Sequence, residues 1–364
     1  MKKKSITFLF FLLSCNSSFV ARYKLIKIPP KKEQIPVGEA KALAEPERTK
    51  KMSAVTYTFS GGRFGDNLTA YLHAKWISYK YNIPLLYKPF PYSDQLMMHE
   101  LETEFQEFDI EFVEKILKEG DALDFDPESS TLYIIPYFPE SREEFKLPHA
   151  HFPYFEVDWD DQGFVEEIRK MIQPRKLLCT DIALPNDKIT VAVHVRKCTP
   201  EFDAPMLFEQ AEDSSIEPKK WHEYGDHGFP FKFARDEYYI EQIRRISTFF
   251  GNQPLYVYLF TDAANPHELA EKYKTTLQLP NIEFDYRKTA NKHDRNVLED
   301  FFALTQFDCL IRVDSNFSLT ASKLASYKIQ VTPKHFYFHR TRGYPVIDEV
   351  SFTIKDIAYI PSQT

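Results

Sequence analysis

Glycine is scarce in this chain, with ten residues in 364. Three of them, Gly61, Gly62 and Gly65, are crowded into "TFSGGRFGDN" (Thr58 to Asn67) at the end of an apolar run. Cysteine is scarcer: Cys15, Cys179, Cys198 and Cys309 lie far apart and form no CxxC pair, which excludes both a paired-cysteine zinc site and a disulfide framework. Positive charge is not in excess. The net charge is -7 and no long basic block occurs, so the electrostatic footprint of a nucleic-acid partner is missing. Past the N-terminus no run approaches the ~20 apolar residues of a membrane span. What the chain does have is 43% hydrophobic and 15% aromatic residues, enough for a large core, at a length that favours two domains over one.

The first residues, "MKKKSITFLFFLLSCNSS", combine three lysines, a short apolar stretch and a small residue before Cys15, the layout of a bacterial signal peptide. "LLSC" resembles a lipoprotein processing box, and on that reading the protein is exported and held at a membrane through a lipidated Cys15. The segment that follows, "PPKKEQIPVGEAKALAEPERTKK", is polar, proline-containing and aperiodic, as a flexible linker is. Met52 opens the first convincing strand, so a start there would leave a cytoplasmic protein instead. The expected organisation is leader and linker over 1–52, a first domain over 53–180 and a second over 181–364.

From Ala54 the pattern is regular. "AVTYTF" reads as a buried strand and "GGRFGD" as a turn. "NLTAYLHAKWISYKYN" reads as a helix, because Leu68, Tyr71, Leu72, Trp76 and Tyr79 recur at helical spacing. "IPLLYKPF" returns as a strand and closes a βαβ unit. Glycines in such a turn let the backbone pass close to a ligand, while the helix N-terminus offers N–H groups to an anion. A tight turn that needs positive φ at one or two glycines accounts for the same residues. Further on, "FQEFDIEFVEKILKEG" reads as an amphipathic helix, "TLYIIPYF" as a strand and "QGFVEEIRKMI" as a helix leading out of the domain. The second half alternates more clearly. "KITVAVHVRK", "PLYVYLFTD", "IEFDYR", "DCLIRVD" and "KIQVTP" read as strands separated by helices, the pattern of a doubly wound parallel sheet. Such sheets bind ligands beyond the carboxyl ends of their strands.

Three polar clusters fall at those ends. In "HVRK", His194 to Lys197, an Arg196 emerging from a buried strand needs an anionic partner, either a phosphate or a local carboxylate. In "FTD", Asp262 is expected to cap the next helix, which starts at Asn265 or Pro266. In "RVDSNFSLTASKL", the hydroxyls of Ser315 and Ser318, with Asn316 and the helix N-terminus, suit a diphosphate. An N-cap by Asp314 or Ser315 accounts for part of that cluster.

Taken together, "GGRFGDN", "HVR", "FTD" and "SNFS" resemble the GT-B fucosyltransferases, the α1,2, α1,6 and protein O-fucosyltransferase superfamily, over roughly residues 54 to 335 and in the same order. The resemblance implies an α/β fold of two Rossmann-like lobes whose parallel sheets face a central cleft. It also implies inverting transfer of fucose from GDP-fucose to a glycan or protein hydroxyl, with no metal or other cofactor. By the match Arg196 would take the β-phosphate, His194 would line the donor site, and Ser315, Asn316 and Ser318 would flank the diphosphate. Asp300 would read guanine, whose two adjacent N–H donors suit a carboxylate. Gly62, Gly65, Asn67 and Asp262 complete the candidate donor-binding set.

The chain departs from the family after "HVR". Lys197, Cys198 and Thr199 stand where a second Arg and a nearby Asp are usual. The candidates for the general base are then Glu201 and Asp203, in an acidic loop whose Trp221, Tyr224 and Phe229 could stack on sugar rings. Two other functions compete. A metal-dependent GT-A transferase would hold Mn²⁺ on Asp158 and Asp160 of "DWD", although that cluster also suits a helix cap. A non-catalytic or degenerate carbohydrate-binding lipoprotein would fit the leader and the altered "HVRKC". Asn67-Leu-Thr69 and Asn316-Phe-Ser318 match the N-glycosylation pattern, yet both fall at the proposed nucleotide site, so an active protein is expected to be unglycosylated.

Overall fold

The computed structural model describes residues 52–104, 113–117, 125–126, 129–136, 157–178, 182–197, 230–289, 294–339 and 344–355. The first lobe opens with β1 (Ala54–Tyr57), α1 (Phe64–Tyr81) and β2 (Leu86–Tyr87), the expected βαβ unit. A short helix α2 (Met98–Leu101), β3 (Thr103–Glu104), β4 (Val113–Ile116), β5 (Thr131–Ile135) and α3 (Gln162–Met171) follow. A three-stranded parallel sheet runs in the order β1-β5-β4, and β2 pairs with β3. The segment read as an amphipathic helix around residue 113 is a correction: Val113–Ile116 is an edge strand beside β5. Pairing with a neighbour overrides local helical periodicity in so short a segment.

The second lobe contains β6 (Ile189–Val195), α4 (Asp236–Phe249), β7 (Leu255–Thr261), α5 (Pro266–Leu277), β8 (Ile282–Tyr286) and α6 (Val297–Leu304). It ends with β9 (Cys309–Ile311), α7 (Asn316–Leu324), β10 (Ile329–His339) and β11 (Tyr344–Ile354). The six-stranded sheet runs β11-β10-β9-β6-β7-β8, parallel except for β11, which closes an antiparallel hairpin with β10. That hairpin carries no glycine-rich two-residue turn to mark it in the sequence. The parallel strands are doubly wound, and their order reverses between β6 and β9. A crevice at the carboxyl ends of two strands on either side of such a reversal is where this architecture binds ligands.

Alternation along the strands sorts their side chains onto two faces. Val191, Val193, Val195, Val257, Ile311 and Val331 pack under α4 and α5. Ala192, Tyr256, Tyr258, Phe260 and Leu310 pack on the opposite face, in a core that runs without a break through α6 and α1 to Val55 and Tyr57 of the first sheet. His194, Arg196 and Arg312 belong to this second face by the same alternation. The two sheets are therefore joined through a shared aromatic core, and the strand ends that matter for binding lie on the joined side.

Candidate functional site

At the end of β1 each clustered glycine has its own reason. Gly61 takes φ +79°, a left-handed turn conformation that L-residues rarely adopt. Gly62 leaves room for Asp66: an added Cβ would lie 2.7 Å from the Asp66 Cγ. Asp66, at the third position of α1, accepts a hydrogen bond from the Arg63 backbone N–H at 3.1 Å. Gly65 meets the start of α7, where an added Cβ would fall 2.7 Å from the Phe317 Cα and closer still to its backbone nitrogen. The close approach is thus between two helix N-termini. Gly65→Ala is expected to destabilise the protein by about 1–3 kcal/mol, because the clash is with backbone that cannot swing away. Chemical denaturation of the variant checks this, and an unchanged midpoint would refute it.

The same junction unites motifs that the sequence holds far apart. Asn316 Nδ2 donates to Asp66 Oδ1 at 2.7 Å across 250 residues. Phe64 packs edge-on against Phe301 at 5.3 Å and against Phe317 at 6.5 Å. The His194 ring lies 5.7 Å from Phe317. Asn67 is buried, and its amide reaches the Gly62 carbonyl at 3.4 Å. Ser315 stands at the N-cap of α7 without a side-chain cap bond, and Ser318, fully buried, donates to the Ser315 carbonyl at 3.3 Å. Gly62, Gly65, Asn67, His194, Ser315, Asn316 and Ser318 therefore converge on one junction. Both asparagines of the glycosylation patterns sit in it with their amides engaged.

Arg196 has a different environment. Its guanidinium forms an ion pair with Asp262, and both side chains are buried. Asp262 also accepts from the Lys197 backbone N–H at 2.7 Å. The local carboxylate expected for Arg196 is Asp262. Asp262 is not the helix cap: Asn265 caps α5, its side chain accepting from the Glu268 N–H at 3.3 Å. Beside it, Asp236 gathers Lys197 Nζ at 2.8 Å, Lys272 Nζ at 2.6 Å and the Tyr273 hydroxyl at 2.8 Å. Burial would raise the Asp236 carboxyl, but these donors outweigh it and hold it at about 2. The network fixes the chain where it leaves β6.

Asp300, in the first turn of α6, forms an ion pair with Arg287. Burial nonetheless pushes its carboxyl above the ordinary range against the pull of Arg287. Asp158 Oδ1 accepts from the Asp160 N–H at 3.0 Å, and Asp161 caps α3 by accepting from the Phe164 N–H at 3.0 Å. The "DWD" acids are thus used in a turn and the cap comes from the residue after them. Glu201, Asp203, Trp221, Tyr224 and Phe229 lie outside the described residues, as does Cys15. Surface depressions lined by His267, Tyr286 and Lys288, and by Ser322, Tyr327 and Thr353, include none of the converging residues.

Two residues of the junction were not singled out from the sequence. Asp66 is one, the acid bonded to Asn316. The other is Arg312, buried at the end of β9, whose guanidinium donates to the Val313 carbonyl at 2.9 Å. Burial, reinforced by the charges of Arg312 and Arg63, pushes the His194 imidazole down to about 3, so it is neutral at pH 7.

No family model matches the chain, and no curated protein matches it in sequence. Among solved structures it is similar to POFUT1 in complex with GDP-fucose, at 12% identity and a TM-score of 0.41, over 78% of this chain and 96% of that one. It is also similar to a variant of Arabidopsis thaliana FUT1 in complex with GDP, at 13% identity and a TM-score of 0.40, over 78% of this chain and 71% of that one. A third is the fucosyltransferase NodZ from Bradyrhizobium, at 13% identity and a TM-score of 0.34, over 84% of this chain and 99% of that one.

Proposed function

We propose that the chain is a glycosyltransferase that moves fucose from GDP-fucose to a glycan or protein hydroxyl, with inversion and without a metal. The observation that carries the proposal is the convergence itself. The Gly-rich turn, the "HVR" strand end and the "SNFS" helix start, separated in sequence, meet at the carboxyl ends of the central strands of the doubly wound sheet, with Asn316 bonded to Asp66 at 2.7 Å. In this reading the diphosphate lies at the α7 N-terminus near Ser315, and the neutral His194 offers a ring N–H without competing for the charge of a nearby cation. Asp300 serves as the guanine reader and exchanges its bond with Arg287 for the base. Glu201 or Asp203 removes the acceptor proton.

A nucleotide screen by thermal shift tests the proposal. GDP should stabilise the protein without any divalent ion, by about 2.7 kcal/mol at a concentration a hundredfold above Kd. Stabilisation that needs Mn²⁺ would favour the transferase built on Asp158 and Asp160. An equal response to UDP would remove the guanine assignment.

A further inference from the structure

The strand order reverses between β6 and β9, and His194 and Arg312 lie side by side at the carboxyl ends of those strands on the joined face. Val193 pairs with Ile311, so His194 and Arg312 are the next step in register on adjacent parallel strands, which lie about 4.8 Å apart. Both are more than nine-tenths buried, with exposures of 8% and 7%. His194 Nδ1 and Arg312 Nε are each buried without a hydrogen-bond partner. The bond to the Val313 carbonyl engages Arg312 Nη1 only, and among the described residues no carboxylate lies within ion-pair distance of its guanidinium. Arg196, by contrast, has its charge answered by Asp262. The Asp314 charge acts on Arg312 through space without reaching ion-pair distance, and a buried cation without a bonded counter-ion is expensive to keep.

We propose that Arg312 and His194 form an enclosed oxyanion subsite at the switch point of the second sheet, and that Arg312 is the cation that grips a phosphoryl group there. The ligand class is a phosphate or diphosphate ester. The guanidinium presents Nε and its terminal nitrogens as a fork matched to two phosphoryl oxygens, and the His194 ring adds a neutral donor beside them. Phe317, against the His194 ring, closes the subsite from the first turn of α7. Placing the diphosphate of GDP-fucose in this subsite rests on the function proposed above, whereas the subsite itself asks only for a phosphoanion.

The test measures binding of inorganic pyrophosphate and of GDP, separately and without metal, to the whole chain and to Arg312→Met. Removing a buried charge that no carboxylate pairs directly should leave the unliganded variant as stable as the parent or more so, while its affinity for both probes falls about 10- to 100-fold, the loss of one charge-assisted pair. A parent that binds pyrophosphate and not GDP keeps the subsite and removes the GDP-fucose reading. A parent that binds GDP and a variant that binds it equally well removes the subsite and keeps that reading. A variant less stable than the parent with unchanged anion affinity makes Arg312 purely structural. Should Arg312→Met not fold, Arg312→Gln carries the same comparison. Nitrogen NMR of the histidines in the parent also stands without any substitution: the His194 ring signals must move on adding pyrophosphate, and their constancy would overturn the proposal.

Discussion

Arg196→Ala is expected to cost about 3–5 kcal/mol of folding stability, the usual penalty for removing one partner of a buried ion pair and leaving the other charge behind. From the sequence, this substitution looks like a clean probe of donor binding that spares the fold. The structure changes that expectation, because Asp262 pairs with the guanidinium and is buried with it. Asp262 also holds the Lys197 N–H at 2.7 Å, and the Arg196 guanidinium lies 5.7 Å over the Phe233 ring, so the deletion loosens the strand end and its cover together. Urea denaturation would read the loss. Arg196→Met combined with Asp262→Leu should recover much of it, since replacing a whole buried pair by apolar groups is far cheaper than halving it. If Arg196→Ala unfolds at the parental midpoint, the pair contributes nothing and Arg196 returns as a free probe of ligand binding.

Long strands such as Ile189–Val195 and Leu255–Thr261 are buried on both faces and announce themselves as unbroken apolar runs. Helices α1 and α3 follow from their spacing, and the doubly wound order follows from alternation. The edge strand at Val113–Ile116 does not, because its pairing partner β5 lies beyond the local window and its own side chains are exposed. The glycine cluster is visible, but its cause is not: Gly65 answers to Phe317, a contact that only the folded chain creates. Asp262 is hidden in the same way. An acid just before a helix looks like a cap, and here a neighbouring strand supplies Arg196 while Asn265 takes the cap.

Arg312 leaves a buried strand in "DCLIRVD" as Arg196 does in "HVRK", and both need an anionic partner. At Arg196 the fold supplies a paired carboxylate, and at Arg312 it supplies a carbonyl, with Asp314 acting through space alone. The difference depends on which strand lies alongside. β7 brings Asp262 to Arg196, whereas β9 lies between β6 and β10, which bring His194 and Thr332 to Arg312.

In the first lobe the largest electrostatic effect is expected at Lys75. This α1 residue is buried, and its Nζ meets Glu102 at 2.9 Å and Glu167 at 2.8 Å, tying α1 to the end of α2 and to α3. The Tyr71 hydroxyl donates to the same Glu102 oxygen at 2.7 Å. Burial pulls the Lys75 ammonium down, but the two carboxylates outweigh it and hold its pKa above the ordinary lysine value. A raised folded-state pKa means stability that is fully present below the unfolded lysine value near 10.4 and is lost as pH rises through the folded one. Lys75→Met should therefore remove about 3–5 kcal/mol at neutral pH, because Glu102, 7% exposed, keeps a buried charge with Tyr71 alone to bond it. It should also abolish this part of the alkaline loss. Glu102→Gln in the same background should restore much of the stability by removing the stranded charge. Glu167→Gln in the parent should cost about 1 kcal/mol or less, since that carboxylate is 35% exposed and partly screened by water. Denaturation midpoints of these variants at pH 7 and pH 11 decide it: a Lys75→Met protein as stable as the parent at pH 7 would mean that the helices are held by packing and that the ion triad is incidental.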